Sequence, residues 1–130
     1  MRSNIKIGWA QTSITPDHST YNLGQIYPRV SKYVHDPITA TALALDNGDE
    51  QAILISLDMV SVPGEDVMGP VRHNLCAEPG LDTSKISVSA THTHNSLGSR
   101  DIFDADSPLS RPGIQPLLPK PEGFMEGPAV

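Results

Sequence analysis

The sequence predicts an α/β domain on a mixed sheet: a hairpin over 38–58, a helix over 64–78, and a right-handed crossover into a parallel strand at 85–90. Three observations carry this. Asn47-Gly48 separates two strand-like runs, the strongest short-range hairpin signal. A helical apolar stripe follows the hairpin. A second β-rich run then follows the helix at a spacing that suits a parallel crossover.

In chain order, Ile5-Lys6-Ile7-Gly8-Trp9-Ala10 alternates as a short strand, and Thr12 to Asp17 supplies turn chemistry around Pro16. Residues 17–37, with Gly24, Pro28 and Pro37, read as a long irregular loop, a length that tends to carry function or disorder. Ile38 to Leu45 puts Ala40, Ala42 and Ala44 on one face. Gln51 to Asp58 is almost continuously apolar, as expected of a central strand buried on both faces.

Gly64 to Glu78 reads as a helix with Val67, Met68, Val71 and Leu75 as its apolar stripe. Glu65 and Asp66 sit in the first turn, where the dipole favours them, and Pro79-Gly80 stops it. Cys76 reads as a small buried hydrophobe. Lys85 to Ala90 is a second buried strand candidate that runs into Thr91-His92-Thr93-His94-Asn95-Ser96.

The chain has 130 residues, and six of its 12 prolines lie in the last 30. The expected division is an ordered α/β region over 1–100 and a Pro/Gly-rich irregular tail over 101–130. Formal net charge is −6 with no Lys/Arg cluster, which excludes a phosphate-tracking nucleic-acid surface. No apolar run approaches the roughly 20 residues of a transmembrane helix. The N-terminus lacks the apolar core of a signal peptide, so a cytoplasmic location is expected. The lone Cys76 excludes an intrachain disulfide and a multi-Cys zinc site, so any metal must be held by His and carboxylates.

Ligands of open α/β sheets bind beyond the carboxyl ends of the strands. Asp58 closes one predicted strand and His92 and His94 follow the other, so these three side chains are expected to converge. In an extended chain, residues two apart point to the same side, which would turn both imidazoles into one pocket. A catalytic zinc site takes about three protein ligands plus a water. Asp58 fits a metal ligand, a group orienting a histidine, a base, or a simple strand-end cap. His35-Asp36-Pro37 either lines the same site or forms an Asx-turn before the proline, while His18 and His73 carry no assigned role. There is no Gly-rich phosphate loop and no Gly-x-Ser-x-Gly elbow, and Ser96-Leu97 breaks the His-x-His-x-Asp-His metallo-hydrolase pattern.

Taken together, His35 to Leu45, Ser56-Leu57-Asp58 and Ser89 to Ser96 resemble the N-terminal part of the neutral/alkaline, non-lysosomal ceramidases, with Gly8-Trp9-Ala10 to Ile14-Thr15-Pro16 fitting as well. The resemblance spans about residues 5–98. It implies a zinc-dependent amidase acting on the N-acyl bond of a ceramide-type lipid. His92 would be a zinc ligand, with His94 beside the metal assisting the reaction. The family's remaining ligands, a second His, a Glu and a Tyr, would come from further segments, so the chain reads as an N-terminal portion with little activity alone. The family's His-Thr-His-Ser-Gly-Pro is replaced here by His92-Thr93-His94-Asn95-Ser96-Leu97. A different reading of the same residues is a non-catalytic binding module that covers its exposed surface by oligomerisation.

Overall fold

The computed structural model describes residues 4–25 and 29–97, and the proline-rich stretch 101–130 lies outside them. Six strands and one α-helix form, in chain order, β1 (Lys6–Ser13), β2 (Tyr21–Asn22), β3 (Arg29–Val30), β4 (Thr39–Asp46), β5 (Gln51–Leu57), α1 (Glu65–Leu75) and β6 (Ile86–Ala90). The main sheet has the order β1-β4-β5-β6, antiparallel except for the parallel β5–β6 pair. The expected mixed α/β sheet is therefore present, with α1 as the crossover between parallel strands.

The hairpin turn owes its shape to side chains as much as to glycine. Asn47 Oδ1 accepts from the backbone N–H of Asp49 and Glu50 at 2.9 and 2.7 Å, and Asp46 Oδ1 accepts from that of Gly48. Gly48 takes a positive φ of +92°, open to it for want of a Cβ. β1 is longer than its sequence suggests. Pairing with β4 holds it extended to Ser13, opposite Thr39, through residues that read as turn formers.

α1 ends earlier than expected, at Leu75, and a looser turn continues through Cys76, whose N–H reaches the carbonyl of Arg72. Its buried side is set by Met68, with Arg72 and Leu75 half-buried at i+4 and i+7, whereas Val67 and Val71 are exposed. The stripe is thus rotated away from the valines. Cys76 is exposed rather than buried.

Register sorts the sheet into two faces. One carries Ala40, Ala42 and Ala44 beside Ile53, Ile55 and Leu57, then Ile86, Val88 and Ala90. Ile86 is buried there, and Met59 and Met68 are the other buried apolar side chains among the described residues. The other face carries Ile7 and Trp9 beside Leu45 and Leu43, then Leu54. Among the described residues nothing covers it: Ile7 is 70%, Trp9 69% and Leu54 48% exposed. β5 is therefore central but not buried on both faces. β6 likewise alternates, with Ser87 and Ser89 exposed.

Residues 17–37 are less irregular than their composition suggests. β2 and β3 pair as a short antiparallel ribbon, and Asn22 bridges to Leu97 beyond β6. This ribbon docks the long loop against the His-Thr-His segment.

Candidate functional site

The parallel register Leu57↔Ala90 brings the ends of β5 and β6 to one edge, as the sequence predicts. Two backbone bonds extend this alignment past the strands: Thr91 N–H donates to Leu57 O at 2.9 Å, and Asp58 N–H donates to Thr39 O at 2.9 Å.

His92 leaves the strand abruptly. Its φ is +59°, a left-handed conformation uncommon for a residue with a Cβ and one that concentrates at functional sites. The chain is therefore not extended here, and the i, i+2 argument does not apply. The two imidazoles meet all the same, centroids 5.0 Å apart and edge to face at 74°. His92 Nδ1 lies 2.7 Å from Val60 O. A carbonyl only accepts, so Nδ1 carries a proton, and in the neutral ring the lone pair is then on Nε2. That is how metal-binding histidines are commonly prepared.

His94 is held from two sides. Arg29 Nη2 donates to its carbonyl at 2.6 Å and to Asn95 Oδ1 at 3.1 Å. Gly24, at φ +89°, lies flat against the ring: a Cβ built there would stand 2.5 Å from His94 Cγ.

Asp58 does not join the histidines through a hydrogen bond. Its Oδ2 accepts from Thr39 N–H at 3.0 Å and from Thr39 Oγ1 at 2.7 Å, securing the start of β4. Its carboxylate nonetheless lines a cavity of about 640 Å³, which includes His35 and Asp36, and also Thr93 and Asn95 but not the two imidazoles. His35 Nδ1 and Asp36 Oδ2, 2.8 Å apart, form an exposed pair on that wall. His18, given no role from sequence, lines it as well and bonds Asp17, whose carboxyl is held below its ordinary range chiefly by that contact.

Sequence reasoning missed Gly24, Arg29 and Thr39. Nothing local marks them, because each matters through a partner at least 19 residues away. The donor set fits one imidazole ligand, His92, and does not complete a metal centre: among the described residues no three His, Cys, Asp or Glu side chains stand close enough to share an ion. Comparison with family models, characterised proteins and solved structures finds no match to this chain. Among the described residues no helix is long and apolar enough to cross a membrane.

Proposed function

We propose that this chain contributes part of the site of a ceramidase-like, zinc-dependent amidase that hydrolyses an N-acyl bond in a ceramide-type lipid. The observation that carries the reading is His92: a strained backbone at the carboxyl edge of the parallel strands, with Nδ1–H tied to Val60 O and Nε2 left to donate. Bound zinc would polarise the amide carbonyl and lower the pKa of water toward about 7. Further donors come from outside the described residues. His94, whose ring packs edge to face with that of His92, would move a proton beside a metal that His92 held. Asp58 acts by fixing the strand end below them through Thr39.

The test is zinc titration of the metal-free protein, read on the imidazole resonances, with release of fatty acid from an N-acyl sphingosine as the activity readout. Zinc should shift His92, and His92→Ala should abolish both that shift and any zinc-dependent hydrolysis. Identical zinc response and hydrolysis in parent and variant would refute the reading.

A second reading is favoured by the uncovered sheet face. Ile7, Trp9 and Leu54 form an exposed apolar patch beside β1, whose outer edge pairs with no other strand among the described residues, the combination that invites pairing with another chain. As a non-catalytic module the protein would cover this face by self-association. Sedimentation of the metal-free protein decides: a stable dimer lost in Trp9→Thr supports it, and a monomer across the concentration range refutes it.

A further inference from the structure

We propose that Asn47, in the turn between β4 and β5, is a site of self-catalysed deamidation, with the Asp46 carboxylate as base and the N–H groups of Asp49 and Glu50 as an oxyanion hole. This does not rest on the zinc reading. Asn47 to Glu50 are exposed, so water reaches the turn. Glycine after asparagine leaves the attacking nitrogen uncrowded, because no Cβ stands beside it.

The folded turn adds two features that a bare Asn-Gly pair lacks. Gly48 N–H donates to Asp46 Oδ1 at 2.6 Å, a short bond that aims a carboxylate at the proton that must leave. Asn47 Oδ1 accepts from the N–H of Asp49 at 2.9 Å and from that of Glu50 at 2.7 Å. These two donors polarise the side-chain amide and sit where charge develops on its oxygen. They also turn the side chain forward along the chain, toward the residue whose nitrogen attacks, and Asn47 N–H donating to Glu50 O at 3.2 Å steadies the arrangement.

Asp46 takes the proton from Gly48 N, and that nitrogen attacks Asn47 Cγ to close a succinimide ring. The oxyanion collapses, the Cγ–Nδ2 bond breaks, and Nδ2 leaves as ammonia with the proton that Asp46 returns. Water then opens the ring at either carbonyl, which leaves aspartate or isoaspartate at position 47. Either product adds a carboxylate beside Asp46, Asp49 and Glu50. Isoaspartate also inserts a methylene into the backbone of the turn that sets the register Asp46↔Gln51. The hairpin thus carries a timer that loosens it.

The experiment incubates the whole chain in warm neutral buffer and follows position 47 by peptide mapping, mass spectrometry and enzymatic methylation of isoaspartate. Asn47 should convert at least about fivefold faster in the folded chain than in concentrated guanidinium chloride, where only the Asn-Gly pair remains. Asn22, Asn74 and Asn95, each followed by a larger residue, should stay intact over the same period. Asp46→Ser keeps a hydroxyl to accept from Gly48 N–H but supplies no carboxylate base, and should slow the folded rate by about tenfold. The isolated isoaspartate form should melt below the parent. The proposal is overturned if Asn47 converts no faster folded than denatured, if the other three asparagines convert as fast, if Asp46→Ser with an intact thermal transition converts at the parent's rate, or if the isoaspartate form melts with the parent.

Discussion

Replacing Gly24 by alanine tests whether the β2–β3 loop holds the His-Thr-His segment in place. Gly24 has φ +89°, and an added Cβ would lie 2.5, 2.6 and 2.8 Å from Cγ, Cδ2 and Nδ1 of His94. Carbon atoms rest about 3.5–4.0 Å apart, so the ring must retreat by about 1 Å. A left-handed backbone costs a residue with a Cβ about 1–2 kcal/mol, and forcing atoms into filled space costs about 1–3 kcal/mol. The reduced freedom of the unfolded chain returns about 0.4–1 kcal/mol. The net loss is about 1–4.5 kcal/mol, and the midpoint of about 3 kcal/mol corresponds to about 10–25 °C in Tm for a domain of this size.

Gly48 provides the control. Its φ is +92°, yet a Cβ there meets nothing within 4 Å, so Gly48→Ala should lose only the backbone part, about 1 kcal/mol. Thermal unfolding of both variants isolates the contact with His94. In a His94→Ala background the excess cost of Gly24→Ala should disappear, a coupling of about 1–3 kcal/mol. Equal losses in the two glycine variants, with no coupling, would refute the packing of this loop on the histidine.

The strand end, the uncovered face and two exposed hydrogen-bonded charges, Asp82 and Lys85, each give a further prediction. Asp58→Ala leaves Thr39 N–H and Oγ1 without their acceptor and should cost about 1–3 kcal/mol by chemical denaturation, whereas Asp58→Asn keeps an oxygen and should cost under about 1 kcal/mol. Trp9→Thr should change the stability of the dilute protein by no more than about 0.5 kcal/mol, because the indole is 69% exposed; a loss above about 2 kcal/mol would show that this face is covered. Asp82 should titrate below its ordinary 3.8, chiefly because its carboxylate accepts from the Ser84 side chain, so its stabilising contribution is present at neutral pH and lost as pH falls through the lowered value. Carbon-detected NMR checks this, with Ser84→Ala expected to return the titration toward 3.8. Lys85 behaves in the opposite sense: its hydrogen bond to Glu50 raises the amine above 10.5, and its contribution fades only as pH rises through that raised value.

The hairpin, the helix and the parallel crossover were legible because each rests on local chemistry. Asp46 and Asn47 close their own turn, α1 announces itself by period and by acidic residues in its first turn, and the β5–β6 pairing follows from connection length. The meeting of strand ends near His92 was legible for the same reason. The exposure of Cys76, Val67 and Val71 was not, because rotation of a helix about its axis is set by what it packs against. The apolar run of β5 implied two covered faces, but apolarity records a tendency to be buried and not the presence of a covering layer.

By itself, then, the sequence determined the mixed α/β topology and the side-by-side ends of β5 and β6, since periodicity, turn residues and strand order are written in near neighbours. Only the tertiary structure decided how the side chains at those ends are used. Thr39 takes Asp58, Val60 takes His92, and Gly24 and Arg29 clamp His94, because hydrogen bonds and close contacts between distant segments depend on where the folded chain returns.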